Sequence, residues 1–145
     1  MNKVDEFKDE LIKKTDFLRQ LGYNKVVEKS DLWDFTLSYL AFDKGIAIEF
    51  EIDYRDLDLF VLITLLENGD LPKGYYMNDG KPVRVHLEKL FESGRIKIGD
   101  WKKISNIRCE LKDQNELKIL IILDAYCTLL LEVASEIQQL SSDIF

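Results

Sequence analysis

Three runs of strict alternation between Trp33 and Leu66 constrain this chain more than any other feature in it. Apolar side chains recur at every second residue at Trp33, Phe35, Leu37, Tyr39 and Ala41. They recur again at Ile46, Ile48, Phe50 and Ile52, and at Leu57, Leu59, Val61, Ile63 and Leu65. A period of two places each set on one face of an extended strand. The breaks between the sets, Asp43-Lys44-Gly45 and Asp53-Tyr54-Arg55-Asp56, have turn chemistry. The runs predict a three-stranded antiparallel meander with one apolar face.

A slip of one residue would turn a whole strand over, so the apolar sets also fix an expected register. Ala41 opposite Ile46 brings Tyr39 to Ile48, Leu37 to Phe50 and Phe35 to Ile52. Ile52 opposite Leu57 brings Phe50 to Leu59 and Ile48 to Val61. The second face then carries Asp34, Thr36, Ser38, Glu49, Glu51, Asp53, Asp58, Phe60, Leu62 and Thr64. Glu51 falls opposite Asp58, a like-charge pair that costs stability unless it is screened. We read Glu49, Glu51, Asp53 and Asp58 as a solvated acidic surface suited to a basic partner. On that reading, replacing Glu51 with Gln and Asp58 with Asn leaves the fold no less stable.

The flanking segments complete an α+β domain with helices on the apolar face of the meander. From Val4 to Leu21, the residues Val4, Phe7, Leu11, Leu18 and Leu21 keep helical spacing, and Gly22 stands where a left-handed cap would end the helix. Val26 and Val27 in the stretch 23–30 could add a fourth strand or lie in a loop. Glu67-Asn68-Gly69-Asp70 and Asn78-Asp79-Gly80 are turns, and between them Tyr75 and Tyr76 cannot both face the core of an extended segment. They are read either as a partner contact or as one ring packed inside and one on the rim. Pro82 is expected to open a short helix with Val83, Leu87, Leu90 and Phe91 as its buried stripe. His86 beside that stripe has no Cys or His at ligand spacing, so it is read as structural rather than as a metal ligand.

The strongest helical signal is at the carboxyl end. Asp113 and Glu116 resemble a capping box, and no glycine or proline follows before Leu140. The expected helix has about 28 residues and a length of about 40 Å. Its apolar arc, including Ile119, Ile122, Leu123, Tyr126, Leu130, Leu131, Val133 and Ile137, is wider than the ~100° needed to cover one surface. Such a helix must be buried from two directions, by the sheet and by either the amino-terminal helix or a second subunit bound through 113–140. The monomer is the simpler of the two.

With 145 residues and 46% hydrophobic content, the chain is read as a single domain spanning 1–145. Charged residues fill Lys3 to Lys14 where a signal peptide would be apolar, and Lys118, Asp124 and Glu132 interrupt the most apolar run. Cys109 and Cys127 are expected to be free thiols. These points make the cytoplasm the default location, with no membrane partner. The net charge is −7. Twelve acidic and four basic residues lie between Glu28 and Asp79, whereas nine basic and four acidic residues lie between Gly80 and Lys112. The acidic balance argues against nucleic acid as a partner. The basic stretch, with Arg95, Lys97, Lys102, Lys103, Arg108 and Lys112 around Trp101, is read as internal charge complementarity or as a hinge between helices.

No phosphate loop, nucleophile elbow, Cys-x-x-Cys or H-E-x-x-H signature occurs. The roles of nucleophile, oriented base and oxyanion stabiliser are unfilled, so neither a catalytic residue nor a cofactor is expected. The remaining classes are a protein-binding module, a structural or adaptor homodimer and, third, an enzyme using the Glu49–Asp58 carboxylates. The order of helix, meander, turn-rich loop, short helix and long terminal helix resembles small acidic bacterial immunity proteins of polymorphic or contact-dependent toxin systems. The stretches that carry the likeness are Leu21-Gly22-Tyr23, Leu66-Glu67-Asn68-Gly69 and Val83-Arg84-Val85-His86-Leu87. The resemblance implies a cytoplasmic inhibitor of a cognate toxin, often a basic nuclease. It transfers no binding residue.

Overall fold

The computed structural model describes residues 3–111, 116–140 and 144–145. In chain order the helices are α1 (Lys3–Thr15), α2 (Leu87–Glu92), α3 (Lys102–Glu110) and α4 (Glu116–Gln139). The strands are β1 (Lys25–Ser30), β2 (Asp34–Ala41), β3 (Ile46–Asp53), β4 (Asp58–Leu65), β5 (Met77–Asn78), β6 (Lys81–Pro82) and β7 (Arg84–His86). Five strands form one antiparallel sheet in the order β1-β2-β3-β4-β7, and β5 and β6 make a separate small hairpin. The architecture is α+β, with the meander at its centre.

Between β2 and β3 the register is the expected one, with Ala41 opposite Ile46 and Phe35 opposite Ile52. Between β3 and β4 it differs by two residues: Ile52 faces Leu59, Phe50 faces Val61 and Asp53 faces Asp58. The cause lies in the turn. Asp53 Oδ1 accepts the amides of Arg55 at 2.9 Å and Asp56 at 3.2 Å, and Leu57 adopts a φ of 51°. Leu57 is therefore a turn residue rather than the first residue of a strand. Glu51 consequently faces Phe60, and the like-charge pair is Asp53 with Asp58.

The first helix is shorter than the sequence suggests. It gives way after Thr15 to a 3-10 turn, Asp16–Leu21. Thr15 Oγ1 donates to Leu11 O at 2.6 Å, a back-bond of the kind that bends a helix, and it also meets Tyr39 Oη at 2.6 Å. Gly22 ends the turn at a φ of 102°, with its amide on Leu18 O. The stretch left ambiguous after it is an edge strand, β1. Pro82 does not open a helix. It pairs with Met77 in the small hairpin, β7 follows, and α2 begins only at Leu87. Asp79 and Gly80 take positive φ values of 50° and 78°, so the tight turn between β5 and β6 holds Pro82 in an extended partner strand. Val83, Leu87, Leu90 and Phe91 are buried.

On the apolar face of the sheet, α4 packs against β4, α1 and α3. Ile119, Ile122, Leu123, Tyr126, Leu130, Val133 and Ile137 are buried, so both surfaces that the wide arc requires come from within the chain. Leu131 is 63% exposed and lies outside the buried arc. Asp113, on which the capping-box reading rests, lies outside the described residues. Tyr23 Oη donates to Ala134 O at 2.7 Å and Gln138 Nε2 to Leu21 O at 2.6 Å, which ties the 3-10 segment to α4. Among the described residues, no helix is long and apolar enough to cross a membrane. Cys109 and Cys127 are free thiols. Burial first, and the nearby Asp124 second, push the Cys127 thiol up to about 12.

Candidate interaction face

The second face of the sheet is partly roofed by the return from β4 to β7. Leu40, Ala47 and Leu66 form a small buried cluster with Val27 and Leu71. Beside it lies a depression of about 260 Å³, whose walls include Thr36, Glu51, Leu71, Lys73 and Tyr75. The residues singled out from the sequence all map to this face or its margins, but they are not equivalent.

Glu49 is buried at 2% exposure and belongs to a closed polar network rather than to a solvated surface. Arg84 Nε donates to Glu49 Oε1 at 2.6 Å, Ser38 Oγ donates to Oε2 at 2.7 Å, and Thr64 Oγ1 donates to Oε1. The carboxylate is thus held by three donors from β2, β4 and β7, as a buried charge requires. Arg84 Nη1 in turn donates to the carbonyls of Gly74 at 2.8 Å and Tyr75 at 3.0 Å. At Gly74 a Cβ would lie 1.9 Å from Met77 O, so the loop closes at a point that admits no side chain. Arg84 was not singled out from the sequence; the signal that could have found it is one carboxylate flanked by Ser38 and Thr64 on neighbouring strands.

The same network presents the two tyrosines. Tyr75 Oη donates to Glu51, and its ring lies over the Arg84 guanidinium with Cζ 5.3 Å from the centroid. Desolvation first, and then the hydrogen bond to Glu51, raise the Tyr75 hydroxyl well above the usual phenol range. Tyr76 packs edge-on against Tyr75 at 4.5 Å, and its hydroxyl meets His86 Nε2 at 3.0 Å. His86 then packs edge-on against Phe60 at 5.9 Å. Tyr75, Tyr76 and Met77 remain 44%, 46% and 51% exposed. Neither tyrosine is a core residue: both are fixed at the surface by their polar ends.

Asp58 lies at the far margin. Because β7 pairs only with Leu62–Thr64, the first half of β4 has an uncovered edge. Arg108 from α3 closes it: Nη2 donates to Leu59 O and, at 2.9 Å, to Tyr126 Oη. The same guanidinium stands 3.4 Å from Asp58 and 3.7 Å from Glu88, while Lys118 Nζ is 3.8 Å from Asp58. Burial first, and the Glu88 charge second, hold the Tyr126 hydroxyl above its ordinary pKa, so it stays protonated and donates to Glu88. Asp58 is therefore paired, and removing its charge no longer relieves a simple repulsion. Arg108→Met is expected to destabilise the fold by about 2 kcal/mol, since hydrogen bonds to charged groups are lost and two carboxylates keep fewer partners. Urea denaturation at neutral pH measures it, and a loss under 0.5 kcal/mol would mean that water replaces Arg108.

Among the described residues, no three His, Cys, Asp or Glu side chains are grouped so as to hold a metal ion. Asp34, Asp53 and Asp58 do sit side by side across β2, β3 and β4. However, Asp53 is occupied by its turn amides and Asp58 by Arg108 and Lys118. The sequence matches no family model, and no curated protein or solved structure matches it.

Proposed function

We propose that the protein is a non-catalytic binding module that engages a basic protein through the second face of its sheet. One observation carries this reading: Tyr75, Tyr76 and Met77 are half exposed while Glu51, Arg84 and His86 hold the two rings in place. Exposed aromatics and methionine are enriched at protein interfaces, and a ring already ordered loses little entropy on binding. Glu51, Asp53 and Asp34 line the same face and supply the charge that would steer a basic partner. Glu49 supports this face from below, and Asp58 closes its margin. The immunity-type reading names the partner class as a cognate toxin. Its support is the chain's anatomy together with the acidic balance between Glu28 and Asp79.

Calorimetric titration against the product of the gene adjacent to the one encoding this chain tests the proposal. Binding that weakens as salt rises is expected, together with a loss of about 2 kcal/mol in Tyr76→Ala, the scale of an interface hot spot. Absence of binding would remove the immunity reading. Binding indifferent to Tyr76→Ala would remove this face.

A further inference from the structure

We infer that the free edge of β1 is a docking site for an extended segment of a partner protein, which joins the sheet as an antiparallel strand. Among the described residues, β1 is the outermost strand on its side of the sheet and is paired only with β2. Five of its six residues are exposed, and Val27 is half-buried. Among the described residues, no turn, loop or side-chain hydrogen bond falls on its main chain. An edge of this kind offers a row of amide and carbonyl groups to an incoming strand.

A second feature distinguishes this edge from an ordinary sheet margin: a depression adjoins it on each face. On the second face, Val27 and Lys29 border the 260 Å³ depression walled by Leu71 and Tyr75. On the apolar face, Lys8 of α1 reaches Ser30 Oγ at 3.2 Å, and α1 and the 3-10 turn leave the rest of β1 uncovered. They leave about 330 Å³ between Ile12, Arg19, Val26 and Glu28, with Leu37 and Tyr39 beneath. Side chains of an added strand alternate between the two faces, so successive residues would enter the two depressions in turn.

The charge pattern selects the occupant. On the second face β1 presents Lys25, Val27 and Lys29, with Lys25 Nζ 3.7 Å from Asp70 at the surface, and on the other Val26, Glu28 and Ser30, whose Oγ accepts from Lys8. A second copy pairing antiparallel about Val27 would set Lys25 against Lys29, and about Glu28 it would set Glu28 against itself. Both are like-charge pairs that oppose self-association in those registers, and a register about Val26 gives neither Lys25 nor Lys29 a carboxylate. The complementary strand carries carboxylates opposite Lys25 and Lys29, a cation opposite Glu28, and apolar residues opposite Val26 and Val27. Read antiparallel to β1, that pattern is Glu-Lys-Val-Val-Glu.

A capped peptide of this sequence, extended by Thr at each end, is the probe, with amide chemical shifts and hydrogen exchange of the unaltered protein as the readout. Saturable shifts and slowed exchange confined to 25–30 and the two depressions are expected. N-methylation of alternate peptide residues should abolish binding for one set and spare it for the other, because only one edge of the peptide meets β1. Reversing the peptide charges should weaken binding about tenfold, as three opposite-charge pairs become like-charge pairs. Tyr76→Ala, which tests the interface proposed above, should leave peptide binding unchanged. No saturable response at 25–30, or equal effects of methylating either edge, would overturn the inference. A dimer by sedimentation that the peptide dissociates would replace the occupant by a second copy.

Discussion

A Leu130→Glu variant is expected to lose cooperative unfolding altogether, while Leu131→Glu, one residue along the same helix, keeps the parent stability within about 0.5 kcal/mol. Leu130 is fully buried and belongs to the main core cluster, whereas Leu131 is 63% exposed. Truncating a buried leucine costs about 2–5 kcal/mol before any charge is introduced. An unpaired carboxylate at the same place adds several more, against a total stability of about 5–15 kcal/mol for a domain of this size. Near-UV circular dichroism and urea titration read both variants. The pair also separates two uses of α4. If the exposed side of the helix is a two-fold interface, Leu131→Glu dissociates it and leaves a folded protomer, which sedimentation detects. A folded, cooperative Leu130→Glu would mean that α4 is not at the centre of the core.

The meander was legible because alternation over eight-residue strands admits one set of faces. The register error between β3 and β4 shows the limit of that signal. A shift of two residues preserves every face, so Leu57 or Leu59 opposite Ile52 reads equally well from the apolar pattern. The choice rests on the Asp53 side chain capturing two turn amides and on Leu57 accepting a positive φ, neither of which alternation encodes. β1 stays open between strand and loop in the sequence for the opposite reason. As an edge strand exposed on both sides, Lys25–Ser30 carries no strong alternation to read. β7 is only three residues long, and Pro82 before it has two physically sound uses, of which the sequence favours the wrong one.

The carboxylates show the same limit at the level of the site. Glu49 and Glu51 are two residues apart on one strand and look alike in the sequence, yet one is buried under Arg84 and the other is only half-buried beneath Tyr75. What separates them is the return segment from Leu66 to Arg84, which roofs one end of the face and leaves the other open. That roof depends on non-local pairing between β4 and β7, and no local pattern announces it. Asp58 is similar. Its partners Arg108 and Lys118 come from the long basic stretch and from α4, distant in sequence although opposite in charge. Complementarity between the acidic and basic halves of the chain was readable; which residues meet was not.

Arg84→Met is expected to destabilise the fold by about 3–5 kcal/mol, the cost of leaving a buried carboxylate without its cation. The Arg84 and Glu49 side chains are 10% and 3% exposed, so solvent cannot take the place of the lost guanidinium at little cost. Glu49→Met should be comparably damaging, since Arg84 would then keep only the Gly74 and Tyr75 carbonyls. The double variant should recover at least half of the loss, because two apolar side chains need no mutual charge compensation. Ser38 and Thr64 would still lack their acceptor, which keeps recovery incomplete. A double-mutant cycle in urea gives the coupling, and a value under 1 kcal/mol would show that the pair is screened by water. The same variants report on the interaction face. Arg84 fixes the loop carbonyls and underlies the Tyr75 ring, so its loss should broaden or shift the Tyr75 and Tyr76 resonances even under conditions where the sheet stays folded. Unchanged tyrosine signals would mean that Glu51 and His86 alone hold the rings, and that the buried ion pair serves stability without ordering the face proposed to meet a partner.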